Sequence, residues 1–156
     1  MRLWLVMVLG LLAAGQGPPT KATRTSSDLR GTTIILIEAL SSKDEGTVQF
    51  SVDSLVRIGC PAVPTIVEML DDRTLMLVPR VMFLNVEAGA PEAIRQHTPQ
   101  KKVDCLVAVL HEITGEPLSP IYNGATEEER RLAVVAWRRY FDANRERFLA
   151  CRWEPA

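Results

Sequence analysis

Leu55-Val56-Arg57-Ile58-Gly59-Cys60-Pro61-Ala62-Val63-Pro64-Thr65-Ile66-Val67-Glu68-Met69-Leu70 holds two helical apolar patterns with a stop and a start between them. Gly59 suits a left-handed C-terminal cap because it tolerates positive φ without steric cost. Pro61 suits a beginning, because the N–H it lacks has no intrahelical partner in a first turn. The spacing therefore predicts one helix ending at Ile58 and another starting within two residues, with the chain reversing tightly against its predecessor.

Working outward, Val48, Val52, Leu55 and Val56 fall at offsets of four, seven and eight, which puts them on one face of a helix over 47–58. Upstream, 28–40 is read as a helix capped by Ser27, although the run Ile34-Ile35-Leu36-Ile37 also suits a short buried strand. Downstream, Val63, Ile66, Val67 and Leu70 carry the third helix to Asp71-Asp72. A fourth helix is expected over 74–86, with Leu75, Val78, Met82 and Leu84 inward and a bend at Pro79. An irregular connection over 87–96 follows.

Thr98-Pro99 reads as the cap and first position of a fifth helix, in which Val103, Leu106, Val107, Leu110 and Ile113 form a buried stripe closed by Gly115. Thr126-Glu127-Glu128-Glu129 fits a capping box and opens a long sixth helix to about Phe148, with Ala133, Trp137, Tyr140 and Phe141 inward and Leu132 and Ala136 beside them. Its arginines, Arg130, Arg131, Arg138, Arg139, Arg145 and Arg147, are read as a solvated face.

Ahead of these helices, Arg2 followed by an apolar run over 3–14 and the small residues Ala13-Ala14-Gly15 has the layout of a cleavable signal peptide, 1–17. The run is too short to span a bilayer, which takes roughly 20 apolar residues. A polar tether, 18–26, leads to the helical domain, 27–150, and a C-terminal tail, 151–156. Export makes disulfides possible for Cys60, Cys105 and Cys151. All three pairings are open, and Cys105, inside an apolar helix, is read as a small buried side chain.

The composition fits one core: 47% of 156 residues are hydrophobic and 24% charged. Asp plus Glu (19) slightly outnumber Lys plus Arg (18), so there is no basic excess for a nucleic-acid partner. His111-Glu112 begins a zinc-peptidase pattern, but Gly115 stands where the second histidine is needed. His97 and His111 are read as partly exposed polar residues. No glycine-rich phosphate loop and no Gly-x-Ser-x-Gly elbow occur, so no catalytic, cofactor-binding or metal-binding residue is assigned.

The stretch from Leu55 to Leu70 resembles the junction between two HEAT-like repeats. Leu110-His111-Glu112-Ile113-Thr114-Gly115, Ala125-Thr126-Glu127-Glu128-Glu129-Arg130 and Ala136-Trp137-Arg138-Arg139-Tyr140-Phe141-Asp142-Ala143-Asn144 are similar to the C-terminal part of secreted bacterial HEAT-repeat proteins. Residues before Thr47 depart from the pattern. The resemblance implies an all-α chain, a short α-solenoid of about three stacked antiparallel helix pairs behind a cleavable signal peptide, offering a surface to another protein. It transfers no catalytic residue.

The expected role is thus a non-enzymatic exported module, periplasmic or extracellular, that binds a protein and neither nucleic acid nor a cofactor, with no transmembrane segment after cleavage. Trp153, Arg138, Arg139 and Arg145 are the candidate partner-binding residues. Two rivals stand beside it: a small lyase-like enzyme, which needs His111, Glu112 and a cysteine in one pocket, and a structural envelope protein anchored by an uncleaved leader.

Overall fold

A computed structural model of the chain describes residues 26–84, 94–121 and 123–152. Within them six α-helices surround one core beside a two-stranded antiparallel sheet. The protein is mostly helical but not all-α, and the expected signal peptide and nearly all of the tether lie outside the described residues.

Helix α1 (Ser26–Ala39) begins before Ser27, which lies inside its first turn rather than capping it. Leu29, Thr33, Leu36, Ile37 and Leu40 are buried at helical spacing against α2 (Glu45–Ile58). The Ile34–Ile37 run is helical, with Ile35 turned outward, so the strand alternative is excluded. Asp44 caps α2 by accepting the Thr47 N–H at 2.7 Å, two residues ahead of the expected start. Gly59 ends it at φ 69°, donating its N–H to the Leu55 carbonyl.

Pro61 falls within a short 3-10 turn (Cys60–Ala62) that feeds α3 (Val63–Glu68). The chain changes direction by 105° at this junction, so α3 crosses α2 instead of doubling back on it.

The fourth expected helix does not form. Residues 74–76 run extended beside 100–102, with the Met76 N–H on the Gln100 carbonyl and the Lys102 N–H on the Thr74 carbonyl, both 2.9 Å. After a bend at Val78-Pro79 comes strand β1 (Val81–Leu84), paired with β2 (Ile94–His97). Burial here alternates with period two: Met76, Val78, Val81 and Phe83 face in, whereas Leu75, Met82 and Leu84 from the expected stripe face out. Pro79 cannot donate a helical hydrogen bond and disfavours helical geometry at Val78, which leaves extended structure. The Gln49 side chain then seals the β1 edge, accepting the Met82 N–H at 2.9 Å and donating to the Met82 carbonyl at 2.8 Å.

Helix α4 (Lys102–Thr114) starts three residues beyond the expected Pro99, because 98–101 run from β2 into the Leu75–Lys101 bridge and Pro99 is buried there. Every residue from Lys102 to Leu110 is buried, so the helix is walled in on all sides rather than along one stripe. Gly115 closes it in the left-handed conformation, as expected. Helix α5 (Glu127–Ala143) has the expected capping box, with Glu129 N–H on Thr126 Oγ1 at 3.2 Å and Thr126 N–H on Glu129 Oε2 at 2.7 Å.

The final helix breaks at Asn144, whose N–H reaches both the Tyr140 and Phe141 carbonyls, and restarts as α6 (Arg145–Ala150). Trp137 and Phe141 are core, Tyr140 packs against it partly buried, and Leu132 is exposed. Cys60 and Cys151 form a disulfide, which ties the end of α6 to the start of α3. Cys105 is free and wholly buried, as expected; burial, and secondarily the adjacent Asp104 carboxylate, push its thiol up to about 12.

Candidate functional site: a groove between three helices

Short helix α3, packed beneath α5 and α6, leaves a groove of 420 Å³. Pro64, Val67, Phe141 and Leu149 supply its apolar surface, and Glu68, Arg138, Asp142 and Arg145 its charges. Val67 and Phe141 are buried at its base, while Leu149 is 57% exposed and so presents a free apolar side chain at the lip. The Asn144 break makes this shape, because it turns α6 so that Leu149 comes over α3. The disulfide fixes Cys151, just after α6, to Cys60, which opens the 3-10 turn ahead of α3.

Both lining acids are already engaged. Both oxygens of Glu68 accept from Arg30 Nη2 at 2.9 Å, and Asp142 pairs with Arg145 at 2.9 Å. The Arg145 guanidinium also lies 5.1 Å from the Phe141 ring centroid. Arg138 has no ion-pair partner among the described residues. Of the expected partner-binding residues, Arg138 and Arg145 therefore meet in one groove; Arg139 is exposed but does not line it, and Trp153 lies outside the described residues. Pro64, Val67 and Leu149 went unmarked in the sequence because their role depends on the α5–α6 break.

The reading of all the α5 arginines as a solvated face is corrected at Arg130, whose side chain is 3% exposed. It donates from Nε and Nη2 to the two oxygens of the wholly buried Asp104 carboxylate, at 2.7 and 2.9 Å. Asp104 also accepts the Gln100 and Lys101 N–H groups. Around this pair, Lys101 and Arg130 reach Glu127, and Lys102 reaches Asp72. Every acid in this network faces a cation or a backbone donor, which suits a structural clamp between α4 and α5 rather than proton transfer.

His97 is also corrected, from partly exposed to buried at 6%. Its ring lies 5.0 Å from that of Phe83, His111 lies 5.7 Å from Trp137 and donates from Nε2 to the Leu118 carbonyl, and Glu112 holds Arg95 at 2.6 Å. Both imidazoles sit below the ordinary histidine value of 6.5, His97 through burial, Arg95 and His111, and His111 through burial and Arg95 against the raising hydrogen bond to Leu118. Unfolded chains take up these protons near pH 6.5 while the folded protein resists them. Stability from this source is thus complete above about pH 6.5 and is lost as the pH falls through it. Urea midpoints are expected to drop between about pH 7.5 and about pH 5.5, and a His97→Asn/His111→Gln variant should show a flatter profile over the same interval; an unchanged slope would refute the assignment.

Among the described residues, no three His, Cys, Asp or Glu side chains are arranged to hold a metal. His111, Glu112 and the cysteines line neither this groove nor the smaller hollow beside Ile121 and Leu132. No single described helix is long and apolar enough to cross a membrane. No protein-family model, curated protein or solved structure matches the chain.

Proposed function

We propose that the protein is an exported, non-enzymatic helical module that binds another protein through the α3–α5–α6 groove. The observation that carries this reading is the union, in one cleft, of an exposed apolar lip, Leu149, with an arginine that has no ion-pair partner among the described residues, Arg138. Apolar surface with a charged rim is the usual anatomy of a recognition patch. The signal-peptide pattern over 1–17 supports an oxidising compartment, and the Cys60–Cys151 bond is compatible with one. The α1–α2 pair with its Gly59–Pro61 junction is read as a HEAT-like unit, with α3, α5 and α6 stacked beside it as the rest of a short solenoid.

Cross-linking in the native cell envelope, followed by mass spectrometry, tests the reading. Specific cross-links from α5 or α6 to one protein at physiological salt are expected. Absence of a specific partner on α5 or α6 would overturn it, and mature chains beginning at Met1 would contradict export by cleavage.

A further inference from the structure

We infer that the groove between α3, α5 and α6 takes a short acidic-apolar peptide segment of the partner protein, with its carboxylates on Arg138 and its apolar side chains on Val67, Phe141 and Leu149. This rests on the reading of the chain as a protein-binding module and adds the chemistry of what is bound.

Charge gives the sign. Residues 138–152 hold five arginines against two acids, although the whole chain carries a formal charge of −1. Inside the groove the lining charges are balanced, Glu68 and Asp142 against Arg138 and Arg145, but both acids already have a cation. Both Glu68 oxygens accept from the one Arg30 Nη2, and Asp142 Oδ1 accepts from Arg145. Arg138 is left to meet an incoming charge. A basic segment would compete with Arg30 for Glu68 and with Arg145 for Asp142, and would face Arg138 while doing so. An acidic segment needs no rearrangement, and an arginine fork suits a carboxylate geometrically.

Shape gives the class. The cleft is apolar beneath Arg138, open along one side, and bounded by helix faces rather than enclosed by loops. A small ligand normally has most of its surface buried by its site, which an open groove does not provide. A polyphosphate partner would use several converging cations, whereas one unpaired arginine lines this cleft. A peptide that lays alternate or helically spaced apolar side chains along the base, with acids at the rim, matches both features.

The test uses the full, oxidised chain and fluorescence anisotropy with a labelled three-turn peptide that carries Leu and Phe on one face and Asp and Glu on the other. Expected results are saturable binding that weakens with added salt, a loss of about tenfold when Lys replaces the acids of the peptide, and a similar loss in Arg138→Glu. Leu149→Asp should weaken binding without changing the circular dichroism, since that side chain is exposed. Equal binding of the Lys peptide, or unchanged binding by both variants, would overturn the proposal. Arg138-dependent binding of phosphatidylglycerol vesicles without binding of the peptide would overturn it too, in favour of a membrane surface. If envelope cross-linking finds a partner on α5 or α6 while the peptide fails, only this inference falls; if no partner is found there, the functional reading falls with it.

Discussion

Asp104→Ala is expected to cost about 3–5 kcal/mol of folding stability, because it leaves the Arg130 guanidinium charged, buried and without its main partner. Four donors converge on that carboxylate: Arg130 Nε, Arg130 Nη2 and the backbone N–H groups of Gln100 and Lys101. Arg130 keeps Glu127 at 2.7 Å, but that residue is 61% exposed and cannot replace a carboxylate inside the core. Replacing both members with apolar residues, Asp104→Leu with Arg130→Met, removes the orphaned charge. This double variant should therefore be more stable than Asp104→Ala alone, while remaining below wild type because two N–H groups lose their acceptor. Urea melts of wild type, Asp104→Leu, Arg130→Met and the double variant, followed by circular dichroism, measure the coupling directly. A loss below about 1 kcal/mol for Asp104→Ala would show that the pair behaves as a surface contact.

Cys60→Ser with Cys151→Ser is the other large perturbation, expected at about 4–5 kcal/mol at the upper end. The two cysteines are 91 residues apart, so the bond removes much of the conformational freedom of the unfolded chain. In the native protein Phe148 is buried and stacked on Phe141, 5.8 Å between ring centroids, and these contacts do not depend on the bond, so α6 should stay helical in the double variant. Wild type with reductant should melt with the variant. Thiol counting supplies the control: oxidised native protein should expose no rapidly reacting thiol, and unfolding it without reductant should reveal one, Cys105. Two fast thiols in the native oxidised state would refute the pairing.

Helices were legible where local chemistry and burial agreed. Gly115 and the Thr126 box act as the sequence reading expects because caps use atoms within a few residues of one another, and Gly59 ends α2 where expected, though at ψ −140° and so outside the left-handed cap conformation. The failures lie where distant chain intervenes. Thr74 to Leu84 has apolar residues that suit a helix, yet Gln100 and Gln49 offer backbone partners from elsewhere in the chain, and the alternating set Val81 and Phe83 is the one buried. Thr98-Pro99 has good capping chemistry, but it lies in the link between β2 and the Leu75–Lys101 bridge, and Thr98 Oγ1 donates to Asn123 Oδ1 instead. Arg130 looked like its neighbours because its counter-charge lies on another helix. The groove was half legible: local basicity marked Arg138 and Arg145, whereas its apolar half needed the turn at Asn144 that brings Leu149 over α3.

The Gln49 carboxamide does for β1 what a third strand would do, occupying the N–H and carbonyl of Met82 together. Lateral recruitment of another chain on that margin would require α2 to depart first, and α2 is anchored by Val48, Val52 and Leu55, all wholly buried. Sheet growth into fibrillar aggregates is thereby blocked on one margin while the native core holds. A single side chain thus acts as a gatekeeper, and its protection lasts as long as the helix that presents it.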